Sequence, residues 1–182
     1  MIATPHPDPV LRPAGPADIV SIQSIYAHHV LYGTASFEEI PPDIAELERR
    51  RAVIAALSLP YLVAEHDGAI LGYAYLSLYR PRSAYRFTVE DSIYIAPGAE
   101  GRGIGRRLLA ELICSGTELG MRQMLAVIGD SANRASIVLH ERQGFAPVGV
   151  FRSVGFKHGR WLDSVLMQRA LGPGDTMLPP KR

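Results

Sequence analysis

Apolar positions along this chain fall into two patterns, and these patterns predict the secondary structure. Short apolar runs bounded by turn residues predict strands, whereas apolar residues three or four positions apart predict helices. The predicted strands are 10–13, 61–65, 69–78, 86–96, 121–128, 145–154 and 161–170. The predicted helices open at Pro16 and Asp18, at Asp43 (to about Leu57), at Gly105 (to about Leu119) and at Ala132 (to about Gln143).

The order of these elements predicts a mixed sheet with helices on both faces, which is the α/β (or α+β) class. The turn at His66, Asp67 and Gly68 predicts a hairpin, so the central strands begin antiparallel and the fold differs from a doubly wound one. We expect a single domain over residues 10–171. Residues 1–9 and 172–182, rich in proline and glycine, are expected to be flexible.

Composition narrows the class of protein. The chain has 182 residues, 47% of them hydrophobic, and a formal net charge of +1. These values favour one globular domain and argue against a general binder of nucleic acid or of a membrane surface. Neither a signal peptide nor an apolar span is recognisable, so a cytoplasmic protein is expected. The single Cys114 excludes an intramolecular disulfide and a multi-cysteine metal site; we expect it to be a buried structural thiol.

The segment after the predicted strand 86–96 carries the strongest chemical signal. Glycines recur at alternate positions, Gly101, Gly103 and Gly105, before an arginine-rich helix whose free N–H groups and dipole attract anions. This pattern is typical of a phosphate or pyrophosphate cradle, and a plain glycine-rich turn fits it too. A dinucleotide fingerprint is disfavoured because Arg106 stands where its third glycine is needed.

Five further segments, in order along residues 34–168, carry a second signal. They are TASFEE (34–39), YRPRSAYRFTVEDSIYI (79–95), AVIGD with Asn133 (126–133), SIVLHERQGF (136–145) and VGFKHGRWLDSVLMQ (154–168). In these segments the chain resembles the GCN5-related N-acetyltransferase superfamily, and within it the phosphinothricin and methionine sulfoximine acetyltransferases. The resemblance implies the mixed, largely antiparallel sheet of that superfamily. It also implies transfer of acetyl from acetyl-CoA to the α-amine of a small anionic amino acid, without a metal, by a homodimer.

The resemblance further implies where acetyl-CoA binds. The pantetheine maps onto the backbone of Ile93, Tyr94 and Ile95, and the pyrophosphate onto Gly101, Arg102, Gly103, Ile104, Gly105 and Arg106. Asn133 would hydrogen-bond the cofactor, although a helix N-cap explains this residue equally well. Glu100 departs from the Gln or Arg that the superfamily usually has at this position. Unless its carboxylate faces solvent or pairs with Arg102, it weakens cofactor binding, and we expect a modest effect.

Acetyl transfer to an amine requires a base for the amine and a proton for the departing thiolate. By resemblance Glu90 is the base; its ordinary pKa of about 4.3 is low, so burial must raise it or a water must relay the proton. The alternative is a solvated strand glutamate or one paired with Arg86. His140 occupies the position of a superfamily tyrosine thought to protonate the thiolate, and the alternative is a packed, half-buried histidine.

Recognition of an anionic acceptor is expected from Arg80 and Arg82, which flank the stiffening Pro81, because a guanidinium captures a carboxylate or phosphinate in bidentate fashion. By resemblance, Tyr85, Phe37 and Thr34 line the rest of the acceptor pocket.

The last matching segment leaves two interpretations open. It contains Lys157, Arg160 and Trp161, and Gly155 and Gly159 indicate a tight loop that lines either the pocket or a dimer interface. Two rival functions also stay open for the chain. One is acetylation of a peptide or protein amine, and the other is an acyl-CoA-binding sensor without activity.

Overall fold

The computed structural model describes residues 8–179. Residues 1–7 and 180–182, where flexibility is predicted, lie outside the described residues. The described part of the predicted tail forms turns: the Gly174 N–H donates to Leu171 O at 2.9 Å, and the Thr176 N–H donates to Pro173 O at 3.0 Å.

Within residues 8–179 the chain forms seven strands and four α-helices. The strands are β1 (Val10–Pro13), β2 (Tyr61–His66), β3 (Ala69–Leu78), β4 (Thr88–Ile95), β5 (Gln123–Gly129), β6 (Ala146–Lys157) and β7 (Arg160–Ala170). The helices are α1 (Ile19–Tyr32), α2 (Ile44–Ala56), α3 (Ile104–Glu118) and α4 (Arg134–Arg142). Every predicted element is present, with ends displaced by at most three residues, and β1 and β3 have the predicted bounds.

The strands form one sheet in the order β1-β2-β3-β4-β5-β7-β6. Neighbouring strands run antiparallel, except that β4 and β5 run parallel. The predicted hairpin joins β2 to β3, and Asp67 and Gly68 at its tip both have positive φ, as a type I′ turn requires. The prediction of a mixed, largely antiparallel sheet is therefore confirmed.

Two apolar clusters cover the two faces of the sheet. On one face, α1 packs Ile22 and Tyr26 against Tyr73 of β3 and Tyr94 of β4. On the other face, Leu108 and Leu112 of α3 join the larger cluster, with Leu76, Val89 and Met124 of the sheet. Because side chains alternate along a strand, even-numbered residues of β4 face α1 and odd-numbered ones face α3. Consecutive residues of β4, such as Glu90 and Asp91, therefore lie on opposite faces of the sheet.

Cys114 corrects one prediction. The buried face of α3 consists of Ile104, Leu108, Leu109, Leu112 and Gly116. Cys114 lies on the opposite side of the helix and is exposed, with its thiol 3.6 Å from Glu118 Oε1. The prediction of a buried structural thiol is wrong because a residue two positions after a buried one lies about 200° around the helix.

In the described part of the chain, no helix combines the length and the apolar character that crossing a membrane requires.

Replacement of Leu112 by alanine is expected to lower the free energy of unfolding by about 2–5 kcal/mol, because it opens a cavity in the larger cluster. Val20→Ala on α1 is the matched control: its side chain is 61% exposed, so a change within about 0.5 kcal/mol is expected. Urea unfolding followed by circular dichroism measures both values. Equal losses for the two variants would contradict this assignment of the core.

Candidate active site

The site lies where the two parallel strands separate. β4 and β5 pair through Thr88–Gln123, Val89–Met124 and Glu90–Leu125, and then part. Beyond Glu90, the backbone groups of β4 that point toward β5 border a cavity of about 1460 Å³. This volume exceeds the roughly 300–1,000 Å³ of an ordinary ligand pocket, and it suffices for two substrates.

The cavity passes between the faces of the sheet and is lined from five directions. The lining comprises five groups: His29 of α1 with the loop 33–38; Tyr75 of β3 with 90–95 of β4; Glu100, Gly101, Gly103, Gly105 and Arg106 of the glycine loop and the start of α3; 126–130, 132–136, 138–140 and Arg142 from β5 through α4; and Arg160 and Ser164 of β7. Of the predicted cofactor residues, only Arg102 and Ile104 are missing from this lining. Arg102 is exposed, and Ile104 is buried in the larger cluster.

The glycine loop has a geometry suited to an anion. Gly101 and Gly103 adopt φ of 75° and 77°, and a Cβ built on either would meet nothing within 4 Å. The backbone conformation is therefore what requires glycine here, and the approach to the loop stays open. α3 begins directly after Gly103, so its unpaired N–H groups and dipole point toward the cavity, with Arg106 beside them. These features fit a pyrophosphate.

Within residues 8–179 Glu100 lines the cavity beside the loop and forms no ion pair with Arg102. Its side chain turns back, and Oε2 accepts a hydrogen bond of 2.7 Å from the Gly98 N–H while the residue stays exposed. The expected effect on cofactor affinity remains a prediction.

The predicted pantetheine strand is accessible from the cavity. Ile93, Tyr94 and Ile95 line it, and the carbonyl oxygen of Ile95 lies 2.8 Å from Nε2 of His29. Burial lowers the pKa of His29, so the ring is neutral and donates its Nε2–H to this carbonyl. Asn133 also lines the cavity while its side chain caps α4 by accepting from the Ser136 N–H at 3.2 Å. The N-cap interpretation is therefore confirmed, and it does not exclude contact with a ligand.

Glu90 stands at the point of separation, on the face that α1 covers. It is half-buried, and within residues 8–179 its carboxylate has no hydrogen-bond or ion-pair partner; the alternative pairing with Arg86 is not formed. Burial, and secondly the charge of Asp91, raise the pKa of Glu90 to about 7. A carboxyl group with this pKa accepts a proton efficiently near neutral pH.

His140 lies on the other face, in a closed pair with Asp91. Its Nε2 is 3.0 Å from Asp91 Oδ2, and its Nδ1 is 2.8 Å from the carbonyl oxygen of Ser136. Both neighbours accept hydrogen bonds, so each ring nitrogen carries a proton when Asp91 is ionised. Burial lowers the pKa of His140, but the hydrogen bond to Asp91 and its charge outweigh this effect and raise the pKa above its usual value.

The predicted base and acid thus face opposite sides of one strand. Glu90 and Asp91 are consecutive residues of β4, and the pleat directs them to the α1 face and to the α4 face respectively. The cavity connects both faces where β5 has moved away. A reaction centre between the strands would have Glu90 on one side and the His140–Asp91 pair on the other.

The loop 33–38 forms the outer wall beside Glu90. Thr34 and Phe37 line the cavity, and their contact with an acceptor remains a prediction. In contrast, none of the cavity-lining residues in the described chain belongs to the predicted group Arg80, Pro81, Arg82 and Tyr85. Those four residues are exposed, with Arg80 stacked on Tyr79 at 5.0 Å. A substrate role for them remains a prediction.

Sequence reasoning missed three site residues. Asp91 directly follows the predicted base, yet its contact with His140 bridges 49 positions and no local pattern announces it. His29 lies on α1, outside every segment that carries the resemblance. Glu38, inside a matching segment, lines the cavity and accepts from Arg50 at 2.7 Å. Across residues 8–179 there is no group of three or more His, Cys, Asp or Glu side chains that could hold a metal ion.

Asp91→Asn is expected to destabilise the protein most at low pH. Since the folded-state pKa of His140 is raised, its contribution to stability is complete below its ordinary pKa of about 6.5 and is lost as pH rises through the folded value. Removal of the buried partner charge should cost about 3–5 kcal/mol at pH 6 and less at pH 9. Urea unfolding across this range measures the difference, with exposed Asp175→Asn as control. A cost that does not vary with pH would show that the pair carries no charge.

Comparisons with known proteins agree with this geometry. The Acetyltransferase (GNAT) family matches residues 22–145. A phosphinothricin N-acetyltransferase of Alcaligenes faecalis is 59% identical over 89% of this chain and 82% of its own length. An L-methionine sulfoximine/L-methionine sulfone acetyltransferase of Salmonella typhimurium is 39% identical over 88% of this chain and 94% of its own.

A solved structure extends the likeness to three dimensions. The phosphinothricin acetyltransferase of Sinorhizobium meliloti in complex with AcCoA superposes with a TM-score of 0.93 at 49% identity, covering 96% of this chain and 95% of that one. The parted strands, the glycine loop and these matches lead to one conclusion: the chain belongs to the acetyltransferase (GNAT) family.

Proposed function

We propose that this protein transfers acetyl from acetyl-CoA to the α-amine of a small anionic amino acid, such as L-phosphinothricin, methionine sulfoximine or methionine sulfone. The observation that carries the proposal is the unpaired Glu90 carboxyl, whose pKa of about 7 suits a base, in a cavity that also contains the glycine loop. The relatives from Alcaligenes faecalis and Salmonella typhimurium, which are named for these acceptors, support it.

The residues of this chain account for the proton transfers. Glu90 removes a proton from the acceptor ammonium, directly or through a water, so that the amine nitrogen can attack the acetyl carbon. A carbon–nitrogen bond forms and the carbon–sulfur bond breaks. The departing thiolate takes a proton from His140, which exchanges its hydrogen bond with Asp91 for one with sulfur. The nitrogen loses its second proton to solvent as the amide forms, His140 regains a proton from solvent, and Glu90 releases the proton that it took. No residue forms a covalent intermediate, and exposed Cys114 on α3 does not line the cavity.

The cofactor and the acceptor occupy different parts of the cavity in this proposal. Gly101, Gly103, Gly105 and Arg106 hold the pyrophosphate, and the free backbone groups of Ile93 to Ile95 hold the pantetheine. Acetyl-CoA supplies the activated acyl group. The acceptor lies on the Glu90 side, below Thr34 and Phe37. Arg80 and Arg82 remain the proposed carboxylate ligands, because their segment leads into the end of β4 at which Glu90 lies: the Tyr79 N–H donates to Thr88 O at 3.2 Å.

We also propose that two copies of the chain associate through β6. This strand is at the edge of the sheet and exposes Val148, Val150, Phe151, Val154 and Phe156, followed by Trp161 of β7. A long apolar edge invites pairing with another strand, and two copies of one strand paired antiparallel are related by a two-fold axis. A second copy of the chain is therefore the occupant we propose.

A cytoplasmic location is proposed as well, since acetyl-CoA is the co-substrate.

The test of the function is acetyl-CoA-dependent thiol release with methionine sulfone, phosphinothricin, a peptide amine and no acceptor. Release with the small acids is expected, and kcat/KM for the acceptor should rise about tenfold per pH unit below pH 7 and then level off, because Glu90 must lose its proton. Glu90→Gln should lower kcat about 10²- to 10⁴-fold and remove this pH dependence while acetyl-CoA still binds.

Glu48→Gln, an exposed change on α2, is the matched control and should leave the rate unchanged. Release only with the peptide would transfer the proposal to the peptide-acetyltransferase alternative. Binding of acetyl-CoA without release for any acceptor would favour the sensor.

Phe151→Glu is expected to convert the dimer into a monomer, because it places a charge among the apolar side chains of the β6 edge; Phe151 is 57% exposed in the single chain. Light scattering after gel filtration should give twice the chain mass of 19.9 kDa for the natural sequence and for the control Val20→Glu, and a single chain mass for Phe151→Glu. A natural protein that runs at one chain mass would refute the dimer.

A further inference from the structure

Lys157 is a buried cation outside the cavity. It ends β6, only 3% of its surface is exposed, and its Nζ donates a hydrogen bond of 2.7 Å to the carbonyl oxygen of Ser36. The two residues are 121 positions apart. Burying an ammonium group costs free energy, and burial lowers the pKa of Lys157. The contact therefore holds two distant segments together at an energetic cost.

Ser36 belongs to the loop 33–38, the wall beside Glu90. The same loop is fixed elsewhere. Gly33 O lies 3.2 Å from Nε2 of His158, next to Lys157 in the β6–β7 turn. On the helical side, Tyr26 Oη lies 2.9 Å from Ser36 Oγ. The loop is thus held between α1 and the tip of the β6–β7 hairpin.

Two glycines of the sheet, Gly129 and Gly155, allow the loop 33–38 to pack directly against the strands. A Cβ on Gly155 of β6 would overlap the ring of Phe37, and a Cβ on Gly129 of β5 would overlap the carbonyl oxygen of Thr34. Loop and sheet are therefore already in contact, with no space left between them. Gly155 lies within a strand, and the tight turn predicted for this region is confined to His158 and Gly159.

We propose that Lys157 is a positioning residue that fixes the size of the acceptor site. By holding Ser36, it keeps Thr34 and Phe37 at a constant height above the face of β4 that carries Glu90. Lys157 itself does not line the cavity, so it acts through the loop and not by contact with the acceptor. This inference rests on the proposed function, since the acceptor is the ligand whose fit the loop controls.

Lys157→Met keeps most of the side-chain length and removes the donor. We expect KM for methionine sulfone to rise about tenfold or more, because small displacements of a positioned substrate are costly, while KM for acetyl-CoA stays within about twofold. The preference for methionine sulfone over phenylalanine, measured as a ratio of kcat/KM, should fall. Amide hydrogen exchange over 33–38 should accelerate about tenfold, and the strands of the sheet should keep their protection.

Two further variants make the test specific. Gly155→Ala displaces Phe37 without touching Lys157 and should produce the same selective rise in acceptor KM. Arg152→Met is the matched control: it removes a long cation from the same strand, but Arg152 is exposed and contacts Asp163, not the loop. It should leave both KM values and the exchange of 33–38 unchanged.

The inference is overturned if Lys157→Met changes neither the acceptor KM nor the exchange of 33–38, or if both KM values and the whole sheet respond alike. In either case the natural protein still acetylates amino acids and the proposed function stands. If the natural protein acetylates no amino acid, the proposed function fails by itself. Amide hydrogen exchange over 33–38 then tests the positioning role of Lys157 by itself. Unaltered exchange in Lys157→Met overturns this role, and selective acceleration supports it.

Discussion

The separation of β4 from β5 after Glu90 is the constraint on which the rest of the structure depends. Two parallel strands that part leave unpaired backbone groups, and such groups need other partners. Here one edge of β4 faces a cavity instead of a neighbouring strand, and His29 satisfies the carbonyl oxygen of Ile95 at its end. The same separation opens a passage between the faces of the sheet, so groups held on opposite faces can reach one reaction centre.

The two consecutive carboxyl groups in this passage, Glu90 and Asp91, differ in whether a charged partner neutralises them. Asp91 is neutralised by His140, and this pair has the same net charge whichever partner holds the shared proton. Glu90 has no partner in the described chain and keeps a pKa near neutrality. One group on this strand is therefore left to exchange protons with a ligand, while its neighbour fastens α4 to the sheet. The pleat of β4 keeps the two roles apart.

Much of the fold can be predicted from the sequence because helices and strands are indicated by patterns among neighbouring residues. The apolar run in 69–78 and the helical period in 104–116 depend only on residues a few positions apart. The glycine loop is predictable for the same reason, since positive φ at Gly101 and Gly103 is a property of single residues. Contacts such as Asp91–His140 and Lys157–Ser36 join residues 49 and 121 positions apart. They depend on how elements pack, and no spacing encodes them. Cys114 was misjudged because its angular position on α3, and not its apolar neighbours, decides its exposure.

The exposed position of Cys114 determines how readily its thiol is oxidised. The charge of Glu118, with a hydrogen bond to the same carboxylate and a smaller contribution from Glu111, raises the pKa of the thiol. Oxidation and disulfide exchange proceed through the thiolate. A surface cysteine between two acids therefore stays protonated and reacts slowly with oxidants. The chain can keep an accessible sulfur on α3 without readily forming cross-links between molecules in air.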